Sequence, residues 1–166
     1  MIEPQTRAPW WKNTRGEWYV IIQIGLFALI ALGPTWLDIR LDLPGGVRAA
    51  ALVIGGVLAG AGLLLALAGL LALGPNLSAL PHPKDDAELV ESGPYRLVRH
   101  PIYSGVILGA IGWALLNASL LTLIYAVLLF VFFDIKSRCE ERWLRRKFAG
   151  YAAYQARVSK LLPFIY

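Results

Sequence analysis

Residues 49–74 are an unbroken run of Ala, Leu, Val, Ile and Gly, and this run constrains the chain more than any other feature. A hydrocarbon core about 30 Å thick needs about 20 apolar helical residues to cross it. Only segments that satisfy their own backbone hydrogen bonds are stable there. The run therefore predicts a membrane helix, and residues 19–37, also uncharged, predict a second. Residues 102–116 and 119–133 are shorter apolar stretches, read here as one helical hairpin turning at Asn117-Ala118-Ser119. With 57% hydrophobic and 16% charged residues the chain is too apolar for an ordinary soluble domain. The expected fold is all-α and integral to the membrane, with about four transmembrane helices and a cytosolic C-terminal helix.

One domain is expected: an interfacial N-terminus (1–18), two transmembrane helices (19–74), a cytosolic loop (75–101), the hairpin (102–134) and a cytosolic tail (135–166). Fifteen residues reach only about 22 Å, so the first hairpin arm spans poorly. Its flanking turns at Gly93-Pro94 and His100-Pro101 should then be buried in protein or line a wet cavity.

Basic residues set the orientation. Arg7, Lys12, Arg15, Lys84, Arg96, Arg99 and the tail cations from Lys136 to Lys160 share one side, against Arg40 and Arg48 on the other. The positive-inside bias puts both termini in the cytoplasm, with a bacterial inner membrane as the expected setting. The net charge of +5 belongs to this asymmetry and needs anionic lipid headgroups rather than nucleic acid to explain it. No obligate protein partner is implied. The polar first 17 residues do not resemble a cleavable signal, so the first helix should be retained, with Trp10, Trp11 and Trp18 as an interfacial belt. One cysteine, Cys139, excludes an internal disulfide, and two histidines, His82 and His100, give no metal cluster.

Gly33-Pro34 should kink or end the first helix. Gly56-xxx-Gly60 and Gly105-xxx-Gly109 are helix-packing signals, assigned to contacts within the chain. Residues 134–148 should continue as a helix beyond the membrane, with Trp143, Leu144 and Phe148 as an apolar stripe.

Polar residues concentrate on either foot of the hairpin: SGPYRLVRHPIYSG at 92–105 and Cys139-Glu140-Glu141-Arg142. A hairpin returns the chain to the side it left, so these clusters can face each other across one shallow site. GPYRLVRHPIYSG, EERWLRRKF and YAAYQARVSKLLP together resemble the isoprenylcysteine carboxyl methyltransferase family, which is related to phospholipid methyltransferases. The resemblance covers residues 89–163. It implies a membrane enzyme that uses S-adenosylmethionine on the cytosolic side and methylates a lipophilic or small acceptor, most readily a carboxylate.

By the same resemblance the cofactor-binding positions are Leu89, Val90, Tyr95, His100, Pro101, Ile102, Tyr103 and Glu140. The residue types suit a zwitterionic sulfonium with an aromatic base: tyrosine rings stack and attract cations, Glu140 can meet an ammonium or ribose, and Arg99 or His100 a carboxylate. Lys136 stands where that family places the arginine that holds the acceptor's carboxylate, and Ala87 stands where it often has histidine. Lys136 and Arg99 are accordingly the candidate catalytic residues, with a point charge replacing a planar fork at 136. Glu141 and the remaining tail charges are expected on the surface. Two other readings are an NADPH-dependent sterol-type reductase and a scaffold or haem-associated protein with His82 and His100 as ligands.

Overall fold

The computed structural model describes residues 12, 15–36, 40–163 and 165. Trp10, Trp11 and Arg7 lie outside these residues, while Trp18 is exposed at the start of the first helix. Among the described residues there are five α-helices: α1 (Glu17–Trp36), α2 (Gly45–Leu73), α3 (Pro101–Asn117), α4 (Leu120–Lys147) and the short α5 (Tyr151–Arg157). Short 3-10 turns stand at Gly74–Asn76 and Gly93–Arg96. Side by side the long helices run α2, α3, α4, α1, with the hairpin in the middle.

By length and composition α2 and α4 can cross a membrane, whereas the apolar parts of α1 and α3 are shorter. The sequence reading had α1 as a full span and the second hairpin arm as a short one. α4 outgrows its apolar run because residues 119–149 contain neither Gly nor Pro, so the helix continues through Asp134 to Lys147. At 28 residues it is about 42 Å long. α3, with 17 residues, reaches about 26 Å, the shortfall expected of it. α1 runs on through Pro34 and ends at Trp36, within one turn of the expected break.

The hairpin turns where expected. α3 ends on Ala118 in the left-handed conformation (φ 47°), and Ser119 caps α4 by accepting from the Thr122 amide at 3.2 Å. The loop from α1 and the first turn of α2 pack on this turn: Leu41 N donates to Ala118 O at 2.8 Å and Arg48 Nη2 to Leu116 O at 3.1 Å. Chain segments 40–48 and 116–119 therefore share one end of the bundle.

α2 and α3 approach backbone to backbone through glycines, on α2 in a different register from the predicted one. Gly56 and Gly60 face open space, whereas Gly105 and the Gly109 amide, the second expected pair, lie at the contact against Gly62. The contacts are Gly55 with Gly112, Gly62 with Gly105, and Gly69 with Pro101 and Ile102, steps of seven residues along α2 and of seven, then three or four, along the antiparallel α3. A Cβ on Gly112 would lie 2.6 Å from Gly55 O and from Ala59 N, so only glycine fits. Small residues allow such close packing in a membrane, where lipid offers no hydrophobic drive between helices. The outer face of α2 is correspondingly apolar and exposed, with Leu64 at 70% and Leu71 at 82%. Such a surface suits a lipid environment.

The core lies along the hairpin: Ile107, Ala110, Ala126, Leu129, Phe132 and Phe133, capped by Leu161 from the tail. The tail runs beside the motif loop in a single parallel bridge, Val98 with Ser159. Arg99 N donates to Ser159 O at 2.9 Å and His100 N to Lys160 O at 3.2 Å, while Ser104 Oγ donates to Leu161 O at 2.6 Å. Lys160, expected on the surface, is buried because it reaches Asp134 at the foot of α4.

Candidate functional site

His100 and Pro101 set the site's geometry. Pro101 occupies the first position of α3, where its missing N–H costs nothing, and holds His100 out of the helix at φ −127°. The His100 side chain makes no capping bond, so its ring is free to reach across to α4. There Nε2 meets Glu141 Oε1 at 3.2 Å and Nδ1 meets Glu140 Oε2 at 3.5 Å. One turn into α3, Tyr103 donates from its hydroxyl to Glu140. Its ring lies parallel to that of His100 (centroids 5.4 Å apart) and to that of Phe133 (4.3 Å). The three rings form a stack across both hairpin arms.

Lys136 sits one turn before Glu140 on α4, 2% exposed, with Nζ 5.2 Å from the Tyr103 ring centre. A buried ammonium needs partners. Lys136 donates to Gln23 Oε1 on α1 at 2.7 Å and to Ala79 O in the long loop at 3.1 Å. Gln23 was not picked out in the sequence, although it is the single polar side chain in the middle of an apolar span, a pattern that marks functional positions.

A cavity of about 360 Å³ opens here, within the size range of small-molecule sites. Lys136, Glu140, Tyr103, His100 and Gln23 line it with Leu89, Val90, Tyr95, Ile102 and part of Arg99. Every site residue named from the sequence thus reaches one cavity except Pro101, which is fully buried against Gly69 of α2. Ala87, Leu144 and Phe148 also line it, so two members of the expected interfacial stripe face the cavity. The third, Trp143, packs on His82 at 4.6 Å between ring centres.

Glu141 corrects the sequence reading most clearly. It is 5% exposed rather than on the surface. Oε1 accepts from Arg99 Nε at 2.8 Å as well as facing His100, and Oε2 accepts from Gln155 Nε2 of α5 at 2.7 Å. Adjacent helix positions lie about 100° apart. Glu140 therefore meets His100 from the cavity side, and Glu141 meets it from the tail side. Arg99 completes this second layer: Nη1 donates to Gln155 O at 3.1 Å and to Val158 O. Its guanidinium holds the tail in place.

Tyr151 and Tyr154 of α5 close the cavity's remaining wall. Tyr154 donates to Tyr95 O at 2.7 Å. Burial raises the phenol pKa of Tyr95, Tyr151 and Tyr154 above the ordinary value, so all three stay protonated. Neither α5 tyrosine had been singled out from the sequence.

Known proteins share stretches of this sequence and its fold. Residues 50–150 match the family described as phospholipid methyltransferase. Over 86 residues the chain is 37% identical to a probable protein-S-isoprenylcysteine O-methyltransferase of Oryza sativa subsp. indica, covering 51% of this chain and 45% of that protein. The protein-S-isoprenylcysteine O-methyltransferase of Saccharomyces cerevisiae is 39% identical over 84 residues, covering 49% of this chain and 35% of that protein. A longer similarity, 29% over 153 residues, covers 92% of this chain and 65% of the nickel-cobalt-cadmium resistance protein NccN of Alcaligenes xylosoxydans xylosoxydans. The solved eukaryotic intramembrane Ras methyltransferase ICMT has the same fold. Its TM-score is 0.60 at 22% identity, over 92% of this chain and 54% of that one. The chain thus spans less than half the length of the rice and yeast proteins it resembles.

Proposed function

The chain belongs to the phospholipid methyltransferase family, and from that premise we propose that it moves the methyl group of S-adenosylmethionine to a lipophilic or small acceptor, a carboxylate above all, at the cytosolic face of its membrane. The observation that carries this reading is the convergence of both hairpin feet, His100 and Tyr103 from one and Lys136 and Glu140 from the other, on one cavity of about 360 Å³.

The residues fit the cofactor. Glu140 is a partly buried carboxylate suited to an ammonium or ribose hydroxyl, and Tyr103 already holds one of its oxygens. Leu89, Val90 and Ile102 supply apolar walls for a flat base, and the tyrosine rings favour a nearby cation. When bound, the cofactor supplies an activated methyl on a positive sulfur.

The protein's own task is then alignment. A carboxylate acceptor is ionised at pH 7 and needs no general base. Lys136 offers it an ammonium, and Gln23 and Ala79 O fix where that ammonium stands. Holding donor and acceptor in line is worth effective molarities of about 10⁵ M or more. The apolar walls also keep out water, which would compete for the methyl group. Glu141 and Arg99 act one layer back, orienting His100 and tying the tail over the site.

Equilibrium titration of the folded, purified protein with S-adenosylhomocysteine tests the reading directly. Saturable binding is expected. A folded protein that shows none would remove the methyltransferase reading. Radiolabelled methyl transfer into a total membrane extract should appear with the wild type and vanish with a His100→Ala plus Glu140→Ala variant.

A further inference from the structure

A second pocket, of about 480 Å³, lies between α4 and the tail and shares only Arg99 with the first among the described residues. Methyl transfer gives it no role. Arg138 of α4, Arg157 at the end of α5, Lys160 and Arg99 line it, against one lining carboxylate, Glu141. Ion pairs offset part of this charge: Arg138 and Lys160 meet Asp134, and Arg157 meets Glu91 at 2.9 Å. Arg99 and Lys160 are buried in their contacts, whereas the side chains of Arg138 and Arg157 are 64% and 66% exposed. Exposed pairs are worth about 0–1 kcal/mol, so an incoming anion can share or displace them. The planar guanidinium fork suits a phosphate above other anions of the same charge.

The pocket's depth in the membrane says which phosphate. Leu128, Val131 and Ile135 are exposed and, spaced three and four residues apart, form one stripe of α4 that runs down to Arg138 three residues further on. The ten residues from Leu128 to Arg138 rise about 15 Å, half of a hydrocarbon core of about 30 Å. One acyl chain laid along the stripe therefore brings its headgroup to the two exposed arginines. Ile165, exposed among the pocket's lining residues, adds apolar surface beside the cations. A free phosphate would use the arginines and leave the stripe idle. We propose that this pocket binds the phosphate headgroup of an anionic phospholipid, with an acyl chain on the α4 stripe, so that a membrane lipid braces the tail against α4. The proposal needs the membrane fold but not the methyltransferase reading.

Native mass spectrometry of the full chain in detergent tests it, with dioleoylphosphatidylglycerol or dioleoylphosphatidylcholine added. Three proteins are compared: wild type, Arg138→Gln plus Arg157→Gln, and Arg96→Gln plus Arg142→Gln. The last removes the same charge from exposed arginines that do not line the pocket. Wild type and this control should retain one phosphatidylglycerol in preference to phosphatidylcholine, and the pocket variant should bind it about 10- to 100-fold more weakly. Equal retention by the wild type and the pocket variant would overturn the proposal. An equal loss in the control would overturn it too, since basic residues would then attract the lipid diffusely. Displacement of the lipid by excess inorganic phosphate would mean a free-anion site with no use for the stripe. Phosphatidylglycerol should also raise the unfolding midpoint of the wild type more than that of the pocket variant. Should the double variant not fold without lipid, Arg138→Gln alone takes its place and the same outcomes decide.

Discussion

At the scale of single residues the site divides into groups that face the cavity and groups that hold them. Glu140 and Lys136 belong to the first kind, and each makes a separable prediction. Glu140→Gln keeps the volume and removes the charge, so S-adenosylhomocysteine affinity should fall about 10- to 100-fold, the range for a hydrogen bond to a charged group. Asp86→Asn, on the exposed part of the loop, should leave it unchanged. Lys136→Met should do the reverse of Glu140→Gln. Cofactor binding should stay within about threefold, while methyl incorporation into a membrane extract falls about 10- to 100-fold, because the ammonium is assigned to the acceptor. A loss of cofactor binding in Lys136→Met would move that residue to the other half of the site. The cavity-facing residues on the two feet of the hairpin were legible in the sequence because short motifs fix them. Glu141, Gln155, Gln23 and Tyr151 were not. A glutamate beside basic neighbours on a helix looks the same in sequence whether it faces water or a buried arginine, and only the tail's return decides the matter.

At the scale of elements the α2–α3 contact offers the sharpest test, since the glycine pattern was legible and its register on α2 was not. A four-residue spacing suggests one helix stripe, but seven-residue spacing keeps residues on one face over more turns, and α2 uses that longer repeat. Gly62→Val would push its side chain into the α3 backbone, with Gly109 N only 2.7 Å from the new Cβ. Overpacking of this kind costs about 1–3 kcal/mol. Gly60→Val meets open space and should cost far less. Unfolding midpoints of both variants in the same detergent check this directly, and equal midpoints would mean the helices do not meet in this register. The hairpin itself was readable, turn included, because Asn117-Ala118-Ser119 interrupts two apolar runs. The end of α4 was readable as well: the continuation expected over 134–148 stops at Lys147, one residue short.

The whole molecule has a tail that returns to the motif loop, so the cavity is built from segments far apart in the chain and closes only when they dock together. The Arg99–Glu141 pair measures that docking. Its side chains are 9% and 7% exposed, and it connects the motif loop to α4, with Gln155 and Val158 extending it to the tail. Removing one member leaves the other as a buried unpaired charge, which costs about 3–5 kcal/mol, whereas replacing both with apolar residues of similar size costs less than the sum. Arg99→Leu and Glu141→Leu should each lower the unfolding midpoint strongly, and the double variant should recover part of the loss. Ligand binding adds a second observable. S-adenosylhomocysteine at 100 times its dissociation constant should stabilise the wild type by about 2.7 kcal/mol. In the double variant the helices can still pack, but nothing orients His100 from behind or holds α5 against the cavity, so this ligand-induced rise should shrink well below the wild-type value. An undiminished rise would mean that the cavity forms without the tail, and the site would then consist of the hairpin feet alone.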